Sequence, residues 1–128
     1  MNNGYVNYKG YIIPSLNIFN QRVYNLKKPA ILGYSDLYVI HLKYGYRVEY
    51  YPDDGNKIIK AFQAAFKKIP KSKYIQGTAT RKGSFKIFVK RPDDYYTLII
   101  ALLDVHTDES VDLAAEFLEN VGFDIKHA

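Results

Sequence analysis

Cysteine is absent from the 128 residues, which excludes disulfides, thiol nucleophiles and zinc–thiolate sites. No apolar run approaches the ~18 residues that cross a bilayer; the longest, Leu98–Leu103, is far shorter. The opening Met1-Asn2-Asn3-Gly4-Tyr5 lacks the charged-then-apolar pattern of a secretion signal, so a cytoplasmic location is expected. Acidic residues are missing between Gly55 and Pro92. A nuclease-type pairing of an acid with a lysine two residues on therefore cannot be built there.

Enzyme signatures are also missing. There is no glycine loop followed by Lys-Ser/Thr, no paired helix histidines with a glutamate, and no Gly-x-Ser-x-Gly elbow. Gly33-Tyr34-Ser35-Asp36-Leu37 fails that last pattern at its final position. His41, His106 and His127 are scattered. His41 alternates with strand-like apolar residues, and His106 sits between Asp104 and Asp108 at an expected strand-to-helix junction. Packing and capping are their expected roles. Two Pro-Asp-Asp steps, at 52–54 and 92–94, place adjacent carboxylates that suit a hard divalent cation, but turn and cap chemistry explains them more simply. No catalytic residue, metal or cofactor is expected.

What the chain does have is segregated charge. Residues 1–56 carry a balance of +2, residues 57–91 carry eleven bases and no acid, and residues 92–128 carry nine acids against Lys126. The net charge of +5 understates both the dipole and the local potential. Either the two segments neutralise each other in the fold or the basic one faces a polyanion.

The coarse layout is one α+β domain over 1–128, an antiparallel-rich sheet of two or more hairpins with two or three helices on one face. Residues 1–36 read as a hairpin turning at Lys9-Gly10, then an irregular connector with a short strand near Arg22–Leu26. Residues 37–91 read as a basic hairpin–helix–hairpin core. Leu37–Tyr44 and Tyr46–Tyr51 form the first hairpin. A helix then runs from near Asn56 to Pro70, with Ile58, Ile59, Phe62, Ala65, Phe66 and Ile69 on one side. Lys73–Thr80 and Ser84–Arg91 pair around Arg81-Lys82-Gly83. Tyr95–Val105, apolar on both faces, reads as a buried strand. The competing signals for a helix are its Pro-Asp-Asp opening and a faint echo of Pro52-Asp53-Asp54 forty residues earlier, which suggests a doubled hairpin-plus-helix unit. An acidic helix over Asp108–Val121 has Thr107 as its N-cap and Gly122 at its end. Phe123–Lys126 is an edge-strand candidate.

The basic segment carries the functional expectation, which is a small non-enzymatic nucleic-acid-binding or polyanion-binding protein. Lys57, Lys60, Lys67 and Lys68 line one side of the helix. Arg81 and Lys82 sit at a hairpin tip, and Lys73, Lys86, Lys90 and Arg91 flank Tyr74 and Phe88. Cations neutralise phosphates, and rings among them stack on unpaired bases. The same helix resembles a membrane-surface helix in pattern, but its apolar side is needed for the core, so no membrane partner is expected.

The alternative is a protein-binding, inhibitory or host-defence-modulating factor. Ten of the thirteen tyrosines lie within residues 1–51. The adjacent Tyr50 and Tyr51 must point to opposite faces of their strand. Such a factor would grip a partner with this Tyr-rich sheet and mimic DNA phosphates with Asp112, Glu116 and Glu119. Opposite-sign faces also make a homodimer a compatible arrangement. Richness in Lys, Asn, Ile and Tyr points to an AT-rich genome, and with so small and motif-poor a chain a phage or mobile-element origin is the expectation.

Overall fold

The computed structural model describes residues 4–24, 30–31, 37–42, 45–50, 55–70, 75–79, 85–89 and 91–128; side chains are described for 4–24, 57–70, Ile75, Val89 and 91–128. The architecture is α+β, with four helices and two antiparallel sheets among the described residues.

The first hairpin joins β1 (Tyr5–Tyr8) to β2 (Tyr11–Pro14) through Lys9 and Gly10. Both turn residues have positive φ, +51° and +89°, the backbone a two-residue turn needs to match strand twist. Asn7 Oδ1 accepts the Gly10 N–H at 3.1 Å and fixes the turn. A short β8 (Lys126–His127) pairs with β2, completing a three-stranded sheet in the order β1-β2-β8. The edge strand therefore lies slightly later than Phe123–Lys126.

Residues 14–36 are not simply a connector. Leu16–Tyr24 forms α1, so the short strand expected from Arg22 is helix as far as Tyr24. Ser15 starts it, its carbonyl accepting the Phe19 N–H at 3.0 Å and its Oγ the Ile18 N–H at 3.4 Å. Phe19 and Val23, one turn apart, are fully buried, and this tertiary anchoring outweighs the poor helix propensity of two asparagines.

The second sheet runs β3-β4-β5-β7-β6, with β3 Ala30–Ile31, β4 Leu37–Leu42, β5 Gly45–Tyr50, β6 Ile75–Ala79 and β7 Phe85–Val89. Both expected hairpins of residues 37–91 are present. Gly45 pairs with Leu42 and so belongs to the strand; the turn between them lies outside the described residues. The inner strands β5 and β7 pair antiparallel. Each hairpin leads into a 14-residue helix, α2 (Gly55–Lys68) and α3 (Pro92–Val105), and the two helices pack on one another. That is the layout a doubled hairpin-plus-helix unit would give.

Tyr95–Val105 is thus helix, correcting the strand expectation. A helix buried on nearly every side has no polar stripe and reads like a central strand. Tyr95, Leu98, Ile99, Leu102 and Leu103 are all fully buried. Its start carries the decisive chemistry: Pro92 occupies the first turn, and Asp94 accepts the Arg91 N–H at 3.0 Å.

The last helix, α4 (Asp108–Asn120), has Thr107 as N-cap, its Oγ1 accepting the Ser110 N–H at 3.2 Å. Gly122, at φ +93°, follows the final turn, and the Phe123 N–H returns to the Leu118 carbonyl at 2.9 Å. Ala114, Phe117, Leu118 and Val121 are buried as expected, joined by Leu113, while Val111 is half-buried. All four helices share one apolar cluster with Tyr11, Ile13, Ile75 and Val89. Each fully buried large side chain in it contributes about 1.5–3 kcal/mol.

Candidate nucleic-acid interface

The helix α2 divides its sequence between two environments. Ala61, Phe62 and Ala65 are at most 5% exposed, while Lys57, Lys60, Lys67 and Lys68 are all exposed. Spacings of three (57 to 60), seven (60 to 67) and eight (60 to 68) residues put those lysines on one stripe. Among the described residues none of the four forms an ion pair with a carboxylate.

The acidic third of the chain nevertheless reaches the edge of this stripe at two points. Lys57 and Lys60 form one lip of a groove of about 320 Å³ between α2 and the junction of α3 with α4. Ala61, Ala64 and Val105 also line it, with Thr107 and Glu109. At the other end, Lys68 acts on the carboxylate of Asp104.

Asp104 is the centre of a second cluster. Tyr8 Oη donates to its Oδ1 at 2.5 Å, and Lys9 Nζ meets the same oxygen at 2.8 Å. Partial burial pushes the Asp104 carboxyl up, but the hydrogen bonds from Lys9 and Tyr8 and the charges of Lys9 and Lys68 outweigh it. The carboxyl is held below its ordinary range. The Tyr8 hydroxyl is pushed up to about 12, chiefly because it donates to a carboxylate. This clasp ties the first hairpin to the end of α3, and it consumes Lys9, not the α2 lysines.

The remaining expected contacts fall into four groups. Lys73, Tyr74, Arg81, Lys82 and Lys90 lie outside the described residues, as does Tyr51. Lys86 and Phe88 lie in β7, where they pair with Glu49 and Arg47 of β5, and Tyr50 pairs with Phe85. The register thus sets an acid opposite Lys86. Arg91 serves the fold, since its Nε and Nη2 reach the two oxygens of Asp94, each at 3.1 Å. On α4, Asp112 and Glu119 are exposed and Glu116 is half-buried.

His106 closes α3 in left-handed geometry, φ +60°, so its junction is helix-to-helix. Tyr11 lies between the rings of His106 and His127, with centroids at 6.0 and 5.2 Å. No cluster of three or more metal-ligating side chains occurs among the described residues. No helix among them is long and apolar enough to cross a membrane.

The groove was not anticipated from the sequence. Its signal was present, however: Ala61 and Ala64, three apart, border the lysine stripe where larger side chains would close the surface. Comparison with protein-family models, curated proteins and solved structures finds no match.

Proposed function

We propose that this chain is a small, non-enzymatic nucleic-acid-binding module whose primary contact is the lysine stripe of α2. The observation that carries the reading is the exposure of Lys57, Lys60, Lys67 and Lys68 on a helix whose other side is locked into the core. A fixed row of cations releases condensed counterions from a phosphate backbone without ordering a loop first. The β6–β7 hairpin, with Arg81 and Lys82 between its strands, supplies further positive charge in the same stretch of chain.

Charge reversal tests the proposal. Lys60→Glu combined with Lys67→Glu should weaken binding of a labelled oligonucleotide at ~50 mM salt by at least about tenfold. Asp112→Lys with Glu119→Lys should leave binding intact or strengthen it. Equal affinity in all three proteins would overturn the proposal. The exposure of Asp112 and Glu119 favours a second reading, a protein partner gripped by α4 and the Tyr-rich sheet, and absence of any oligonucleotide binding would select it.

A further inference from the structure

The groove beside the lysine stripe has a composition unlike the rest of that surface. Its floor is Ala61, Ala64 and Val105, its near lip Lys57 and Lys60, and its far side carries Glu109. At about 320 Å³ it sits at the small end of ligand sites, which start near ~300 Å³. That is room for one flat ring system with part of its sugar. The floor is apolar and built from short side chains, so a planar group can slide in without displacing a large residue. Ala61 is buried and Ala64 half-buried, so the floor is held by the packing of α2.

We infer that this groove receives one unstacked base of a single strand, with Lys57 and Lys60 on the flanking phosphates and Glu109 accepting from an exocyclic amine. The inference rests on the proposed nucleic-acid function and names the class of substrate within it. A duplex keeps its bases stacked and paired, so it can use the lysines but not the groove. A carboxylate accepts from the amine of cytosine or adenine and finds only a carbonyl on thymine at the corresponding position. The groove therefore pairs its two sides with different groups, the lysines by charge with phosphate and Glu109 as a hydrogen-bond acceptor with the amine N–H. A peptide of one charge sign would satisfy one lip and be repelled by the other.

The test compares labelled dC20, dT20 and a 20-base-pair duplex by fluorescence anisotropy at ~50 mM salt on the full chain. Expected is a preference for dC20 over dT20 of about fivefold, the low end of what one base-edge contact gives. Both strands should bind more tightly than the duplex. Glu109→Gln should reduce the dC20-to-dT20 ratio toward unity. Ala64→Leu, a strong helix former at a half-buried site, should weaken dC20 about tenfold by closing the groove. Its circular dichroism and melting midpoint should match the parent. If the oligonucleotides bind but neither variant alters the ratio or affinity, the groove assignment is wrong and the lysine-stripe reading survives. Duplex binding as tight as dC20 would likewise sink the groove alone. If nothing binds, both readings fall together.

Discussion

Replacing Asp104 with asparagine isolates the charge at the centre of the clasp between the first hairpin and α3. The side chain is 25% exposed and receives Tyr8 and Lys9 on one oxygen. Asparagine keeps an acceptor there, so the Tyr8 bond falls from charge-assisted to neutral, a loss of about 1 kcal/mol. The Lys9 partner is 54% exposed, and solvent screening limits its loss to about 0.5 kcal/mol. Opposing both, a carboxylate in the last turn of a helix faces the negative end of the dipole, and removing it returns ~0.3–1 kcal/mol. The net is a destabilisation of about 1 kcal/mol, or a drop of about 3–5 °C in Tm for a chain this size.

The pH dependence follows from the two shifted groups. The folded Asp104 carboxyl lies below its unfolded value, so its stabilisation is full above the ordinary carboxylate range and fades as pH falls through the folded value. Parent and Asp104→Asn should therefore converge on acidification. The Tyr8 hydroxyl, raised from 10.0 to about 12, stabilises the fold fully below its unfolded value and loses that contribution as pH rises through its folded one. In the variant it should titrate lower than in the parent, because the carboxylate's charge is gone while the burial that also raises it remains. Thermal melts by circular dichroism at neutral and acidic pH measure the first effect, and an NMR titration of the assigned Tyr8 ring measures the second. A parent Tyr8 that titrates at the ordinary tyrosine value, or an unchanged Tm at neutral pH, would refute the clasp.

Three further substitutions probe the scaffold by chemical or thermal unfolding. Asn120 buries both polar atoms of its amide with the Tyr95 hydroxyl as a neighbour, and that hydroxyl keeps the Phe117 carbonyl as its acceptor, so Asn120→Leu should change stability by no more than about 1 kcal/mol; a larger loss would mean that the amide holds Tyr95 in place. Gly122→Ala places a Cβ at φ +93° and within 2.6 Å of Arg22 Nη1. The flexible guanidinium can move but the backbone cannot, so a cost of about 1–2 kcal/mol is expected, and a silent change would contradict the left-handed helix end. Asp94→Ala removes the acceptor for the Arg91 N–H and guanidinium at the start of α3; a loss of about 1–2 kcal/mol is expected, and an unaltered unfolding midpoint would argue against the cap.

Legibility in the sequence followed amphipathicity. α2 and α4 each show the core one stripe and water another, so their spacing was readable, as were hairpins punctuated by Gly10 and Pro52. α3 was not, because between Tyr95 and Leu103 only Thr97 is exposed, and a helix with so narrow a wet edge loses its period. Its boundary residues, Pro92 to Asp94, carried the better information. α1 was hidden for the opposite reason: only Phe19 and Val23 are buried on it, too few to stand out among asparagines. Of the interface, the lysine stripe could be read from spacing alone. The Tyr8–Asp104 clasp, between residues 96 apart, and the groove, formed where α2 meets a helix junction, depend on tertiary packing that no local pattern encodes.

Phosphate binding requires that the α2 lysines be available, and the salt dependence of oligonucleotide affinity reads that directly. Four lysines on a single strand give a slope of log affinity against log salt of about −3, steepening toward −4 to −5 as the hairpin adds contacts. In the Lys60→Glu, Lys67→Glu protein the slope should shrink by at least about 1.4. A parent slope near zero, or one unaffected by the charge reversal, would contradict a phosphate-binding stripe on α2.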